Sequence, residues 1–201
     1  MLRIHGTPRS RAFRNIWAAE EAGLPYELIP TSFEEAKSPA RRHLHPAGKV
    51  PALEDGSLIL QESLAINLHI ARKAGPPLLP EGDDLSRCWQ WTLFAATEAE
   101  PAIMRWAYNS YIRPPEERNP EEARLGMAES RPRMALVDEH LAGRDFLLGQ
   151  LFTVADLNLA SVWYGAWRNG FDLSPHPRLA AWLDRCLTRP AALRARALRE
   201  G

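Results

Sequence analysis

A break in the middle of the chain limits what it can fold into. Gly75-Pro76-Pro77 is followed closely by Pro80-Glu81-Gly82-Asp83, and prolines and glycines at this density stop any helix or strand that runs into them. Before the break, short β-like and helical patterns alternate. Beyond it, nearly every segment reads as helix. The tryptophans follow the same division: Trp17 lies before it, and Trp89, Trp91, Trp106, Trp163, Trp167 and Trp182 lie after it. The expected organisation is an α/β domain over residues 1–78 and an all-helical domain over residues 84–201, with no internal repeat.

The first part resolves into elements. Leu2–His5 reads as a short strand, residues 10–22 as an amphipathic helix closed by Gly23, and Tyr26–Ile29 as a second strand. Parallel strands require such a crossover, so this is a βαβ unit. A weaker helical segment spans residues 34–43. Residues 51–54 and 58–60 then flank Asp55-Gly56, the pair a hairpin turn prefers, and Ser63 opens a helix to about residue 74. The order is βαβ, helix, ββ, helix.

The second part begins with a long helix over residues 84–111, carrying Leu85, Cys88, Trp89, Leu93 and Ala96 at helical spacing. Asn119-Pro120-Glu121-Glu122 is a helix start, with a capping Asn, proline at the first helical position and acids in the first turn. Pro132 is expected to kink or end that helix. Thr153-Val154-Ala155-Asp156 is a capping box with Asp in place of Glu. Pro177 and Pro190 begin two further helices.

Composition excludes several functions. Lys+Arg 25 balances Asp+Glu 25, which argues against strong nucleic-acid binding. The apolar runs fall short of the roughly 20 residues a membrane span needs. The N-terminus leads straight into Leu2-Arg3-Ile4-His5-Gly6 without the apolar stretch of a signal peptide, so a cytoplasmic location is expected. Cys88 and Cys186 are too far apart to form a redox or metal motif and read as buried helix residues. The six histidines show no metal-ligand spacing, so no metal is expected.

Four segments carry a resemblance. Arg14-Asn15-Ile16-Trp17 with Glu20-Glu21-Ala22-Gly23-Leu24-Pro25-Tyr26-Glu27 resembles the first helix and second strand of the soluble glutathione transferases. His45-Pro46-Ala47-Gly48-Lys49-Val50-Pro51-Ala52-Leu53-Glu54-Asp55-Gly56 resembles their N-P-x-G-K-V-P-x-L-x-D-G segment, with His45 where Asn is usual. Gln61-Glu62-Ser63-Leu64-Ala65-Ile66 resembles their E-S-x-A-I box, and Phe152-Thr153-Val154-Ala155-Asp156 the capping box of their core helix. The resemblance spans the chain. It implies a thioredoxin-like α/β domain followed by an all-helical domain. It also implies glutathione as co-substrate, an electrophilic small molecule as second substrate, a detoxifying conjugation and a cytoplasmic homodimer. The type it implies is bacterial and Ser/Thr-dependent, similar to the theta, nu and beta classes.

The physical chemistry of the first loop fits that reading. Gly6-Thr7-Pro8-Arg9-Ser10-Arg11 lies between a strand and a helix N-terminus, where unpaired N–H groups favour an anion. The resemblance implies Tyr, Ser or Cys as the thiol-activating residue at this loop. No Tyr or Cys is present, which leaves Ser10 and Thr7, with Ser10 favoured, and Arg11 as a further contributor. Simple helix capping is the alternative role for Ser10. Thr7-Pro8-Arg9-Ser10 also stands where thioredoxin-like folds carry Cys-x-x-Cys, so dithiol exchange by the protein's own thiols is not expected.

The resemblance further implies a cis Val50-Pro51 peptide whose Val50 backbone pairs with the cysteinyl part of glutathione, and Lys49 against the glycine carboxylate. Glu62 and Ser63 would take the γ-glutamyl end, supported by Gln61. Trp106, Tyr108, Tyr111, Trp163 and Trp167 are candidates for the second-substrate pocket, with core packing as the alternative for each. The same residues also suit a glutathione-dependent isomerase, a disulfide or peroxide reductase, or a binding protein without turnover.

Overall fold

Alternating Leu2 and Ile4 are buried while Arg3 is exposed, and this makes β1 (Leu2–His5) the strand on which a four-stranded sheet is assembled. The computed structural model describes residues 1–201. β2 (Tyr26–Ile29) pairs parallel with β1, placing Leu28 opposite Ile4. β3 (Ala52–Asp55) pairs antiparallel on the other side, placing Leu53 opposite Ile4. β4 (Leu58–Leu60) completes the order β2-β1-β3-β4 through a hairpin at Gly56, which has φ 64°. Between the first two strands runs α1 (Ala12–Ala22), closed as expected by Gly23 at φ 62°. Its residues Ile16 and Trp17 are fully buried, each stabilising the fold by about 1.5–3 kcal/mol.

The weak helical segment expected over residues 34–43 is two shorter pieces: α2 (Phe33–Ala36), started by a Ser32–Glu35 capping box, and a 3₁₀ turn at Pro39–Arg41. Pro39 has no N–H to continue the first helix, so the chain restarts there. α3 (Ser63–Ala74) follows β4 and packs against α1.

Two compact units form, Met1–Pro80 with Thr188–Gly201, and Glu81–Leu187. The last helix, α9 (Pro190–Glu200), therefore groups with the α/β unit, not with the helical domain as expected. Its alanines 191, 192 and 195 are buried, and it packs on α1. Glu20 and Glu21 end α1 with negative charge. Arg189 grips Glu21 through two hydrogen bonds of 2.7 and 2.8 Å, and Arg194 donates to Glu20 at 2.5 Å. Arg189 and Arg194 thus join α9 to the end of α1 as an ionic seam.

The second unit holds α4 (Gly82–Phe94), α5 (Glu100–Ala107), α6 (Pro120–His140), α7 (Val154–Arg168) and α8 (Pro177–Leu187). The single helix expected over residues 84–111 is interrupted by wide π-type turns at Ala95–Ala99 and Tyr108–Ile112. The first adjoins Pro101, whose ring and missing N–H disrupt regular α-helical bonding. Pro132 neither ends nor breaks α6. Gly126 holds that helix so close to α5 that a Cβ would stand 2.4 Å from the Trp106 nitrogen, and Arg133 donates to the Glu129 carbonyl at 2.8 Å in the turn around the proline. Packing and a side-chain donor override the local preference. No helix is long and apolar enough to cross a membrane.

Asp156 anchors this unit. It is fully buried and accepts from the Leu147 N–H at 2.8 Å, from the Thr153 N–H and hydroxyl at 3.0 Å each, and from the Trp182 indole at 3.0 Å. Burial pushes its pKa up, and these donors pull against that shift. Asp156→Ala leaves several buried donors without an acceptor, at about 1–3 kcal/mol each. The expected result is a stability loss of about 3 kcal/mol or more in urea unfolding, with the secondary structure of the refolded protein retained.

Candidate functional site

The site is built where β1 gives way to α1. Gly6 takes φ 148°, and a Cβ there would lie 2.7 Å from Ala12 Cβ, 3.3 Å from Ser10 Oγ and 3.6 Å from Val50 Cβ. Only glycine suits this backbone and this space. The crowding also shows that the Ser10 loop and Val50, distant in sequence, come together around position 6. The Val50–Pro51 peptide is cis.

Ser10 is 7% exposed, and its hydroxyl donates to the Thr7 carbonyl at 2.7 Å while accepting from the Ala12 N–H at 3.1 Å. Thr7 O also accepts from the Ser10 N–H at 2.9 Å. Ser10 therefore acts as a cap in this structure. The Thr7 hydroxyl, half-buried, has no hydrogen-bond acceptor. Arg11 is exposed at the helix start.

The second cluster opens α3. Glu62 is exposed with φ 64°, a left-handed backbone for a residue with a side chain, worth roughly 1–3 kcal/mol of strain. Buried Ser63 beside it accepts from Arg14 Nη1 at 3.2 Å through its hydroxyl and from Asn15 Nδ2 at 2.8 Å through its carbonyl. Asn15 Nδ2 also donates to Asn67 Oδ1 at 2.7 Å. Arg14 and Asn15 thus hold Ser63, a role that no local sequence pattern announces. The one hint was a charged and an amide side chain directly preceding Ile16 and Trp17 in a helix whose faces are mostly apolar.

Gln61 spends its amide group on the Leu44 carbonyl at 2.8 Å, so it braces the loop before the cis peptide. Lys49 and Glu62 are exposed charges without ion-pair partners, and both act on His45. Burial lowers the His45 pKa most, the Glu62 carboxylate raises it, and the Lys49 ammonium lowers it.

The aromatic candidates in the helical unit divide. Trp163, expected as a pocket candidate, is instead core: it is fully buried, meets Trp182 edge-on at 6.5 Å and offers a ligand no surface. Trp106 is 5% exposed, edge-on to Tyr111 at 5.6 Å and Phe171 at 5.0 Å. The Tyr111 hydroxyl presses on Gly165, where a Cβ would approach within 2.1 Å. Trp167 donates to Asp184 at 2.6 Å. Tyr108 is 42% exposed beneath the Arg113 guanidinium. Cys88 and Cys186 are buried, and burial drives the Cys88 thiol up to about 12, so it is no nucleophile. No group of three or more His, Cys, Asp or Glu gathers in metal-binding geometry.

His5, at the end of β1, ties the loop's base to the sheet. Its Nε2 lies 2.6 Å from Glu54, and Arg41 Nη1 approaches its Nδ1 at 3.4 Å. A guanidinium only donates, so Nδ1 is the acceptor and Nε2 carries the proton given to Glu54. Burial, the largest influence, holds the His5 pKa below 6.5 despite Glu54. A base with a depressed folded-state pKa contributes stability above its unfolded pKa and loses it as pH falls from about 6.5 toward the folded value. Between pH 7.5 and 5.5, thermal unfolding of His5→Gln should show a smaller fall in Tm than the unaltered protein.

Residues 3–72 match the glutathione S-transferase N-terminal domain, and residues 99–190 match the glutathione S-transferase C-terminal domain. A probable glutathione S-transferase GSTF2 of Oryza sativa subsp. japonica is 30% identical, over 98% of this chain and 96% of its own length. A theta class glutathione S-transferase from Xanthomonas axonopodis pv. citri, solved with glutathione bound, superposes with TM-score 0.90 at 30% identity, covering 96% of each chain. Glutathione S-transferase-I bound with lactoylglutathione superposes with TM-score 0.90 at 28% identity, covering 98% of this chain and 99% of that one. With both domains matched in order and the sheet, cis peptide and capped core helix in place, the chain belongs to the glutathione S-transferase family.

Proposed function

We propose that this glutathione transferase ionises the glutathione thiol beside Ser10 and delivers the thiolate to an electrophilic carbon of a small molecule. The observation that carries the reading is the convergence of the Ser10 loop and Val50 around Gly6. In this reading, the Val50 main chain holds the cysteinyl part, Lys49 the glycine carboxylate, and Ser63 with Glu62 the γ-glutamyl carboxylate and ammonium. Arg11 adds positive potential. Two features support these roles: the unpaired charges of Lys49 and Glu62, and the clamp of Arg14 and Asn15 that holds Ser63.

The chemistry is thiol acidification. A free thiol with pKa near 8.5 is mostly protonated at pH 7, and each unit of depression requires about 1.4 kcal/mol of thiolate stabilisation. A hydrogen bond to a charged acceptor contributes roughly 1.5–3 kcal/mol, enough for one or two units. To give that bond, the Ser10 hydroxyl turns from Thr7 O, which keeps the Ser10 N–H. The exchange trades a neutral hydrogen bond of about 1 kcal/mol for a stronger one.

A second reading gives the activating bond to Thr7, favoured by its uncommitted hydroxyl. The absence of Tyr and Cys from the loop supports a Ser/Thr-type enzyme, and the Xanthomonas relative supports a bacterial, theta-like class. A cytoplasmic homodimer without nucleic-acid partners completes the proposal. Trp89 and Leu93, one turn apart on α4 and 50% and 62% exposed, support a subunit contact.

Glutathione at 5 mM should raise Tm by about 2–4 °C, and no rise sinks the binding assignment. In the complex, Ser10→Ala should cut thiolate absorbance at pH 7 about tenfold, while Thr7→Ala changes it less than twofold. The opposite ranking transfers the role to Thr7.

A further inference from the structure

We propose that Arg199, on α9, is a positioning residue for the thiol-binding loop. Its Nη1 donates to two loop carbonyls, Pro8 O at 2.8 Å and Ser10 O at 3.1 Å, and its guanidinium lies 5.3 Å from the centre of the buried Phe13 ring. The Pro8–Arg9 and Ser10–Arg11 peptides are trans, so each carbonyl and the N–H that follows it point in opposite directions. Drawing both carbonyls toward Arg199 turns the Arg9 and Arg11 N–H groups away from it. The same grip holds the segment on both sides of the Ser10 hydroxyl. A cation at the start of α1 also opposes the helix dipole. The placement makes sense for holding carbonyls, and adds a positive charge beside a loop meant to carry a sulfur anion.

The rest of α9 makes this grip firm. Arg189 and Arg194 pair with Glu21 and Glu20 at the other end of α1, so the two helices run antiparallel, with ion pairs at one end and the carbonyl hydrogen bonds of Arg199 at the other. A helix separated from the loop by most of the sequence thus sets the loop's geometry.

The inference rests on the reading of Ser10's loop as the thiol site, and the test separates the two. The thiolate absorbance of the glutathione complex is measured from pH 5 to 9 in the unaltered protein, in Arg199→Met, in Arg199→Lys and in Arg194→Met. Arg199→Met should move the thiol titration upward by about 0.5–1 unit and lower kcat at pH 6.5 about three- to tenfold, with KM for glutathione within about twofold. Arg199→Lys, which keeps charge and a donor, should recover at least half of the shift. Arg194→Met weakens the seam away from the loop and should lower Tm without moving the titration. If Arg199→Met does not fold, a small upward shift in Arg199→Lys against none in Arg194→Met carries the test. Identical titrations in all four proteins overturn the positioning role. No thiolate signal in the unaltered protein overturns the site reading itself, and the proposal with it.

Discussion

No side chain fits at position 6, and the geometry of the site follows from that. A Cβ on Gly6 would collide with Ala12 and crowd Ser10, with Val50 at ordinary contact distance. Because the position is bare and its φ is 148°, β1 can pass directly into the loop, the loop can fold tightly onto the first turn of α1, and the segment before the cis peptide can close over it. Any larger residue would push one of these elements outward, and the hydroxyl of Ser10 would no longer share a neighbourhood with the Val50 main chain.

Around that point α1 acts as a hub. It buries Ile16 and Trp17 in the core, yet it also sends Arg14 and Asn15 to α3 and Glu20 and Glu21 to α9. Buried polar groups stabilise a fold only when each finds a partner, and a buried charge left alone is strongly destabilising. The bonds given by Arg14 and by Asn15 Nδ2 are directional. Greasy packing alone would allow α3 to slide by a fraction of a turn. The bonds from Arg14 and Asn15 fix the first turn of α3 at Ser63 and thereby hold Glu62 in its left-handed backbone.

The helical unit uses a different device. Its α7 is apolar nearly all round, and its entry is specified by one buried carboxylate, Asp156, that gathers donors from the loop between α6 and α7 and from α8. Close backbone approach at Gly126 locks α6 to α5 and carries α6 through Pro132. With Trp163 and Trp182 edge-on in its core, this unit has little freedom to rearrange around a ligand from within.

The sequence by itself determined the order of the elements, the helix stops at Gly23 and at the proline-glycine break, the capping box at Thr153 and Asp156, and the residue types in the loop between β1 and α1. These are local facts: φ restrictions, missing N–H groups and short-range capping bonds act within a few residues and leave a readable pattern. Tertiary structure alone decided that α9 belongs with the α/β unit, that Pro132 lies inside a continuous helix, that Trp163 is core, that Arg14 and Asn15 hold Ser63, that His5 meets Glu54, and that Arg199 grips the Pro8 and Ser10 carbonyls. Each of those outcomes depends on a partner far away in sequence, as Arg199 depends on Pro8 and Asn15 on Ser63. The free energy of such pairings comes from burial and from donors meeting acceptors across space, and no window of neighbouring residues contains both halves of the interaction.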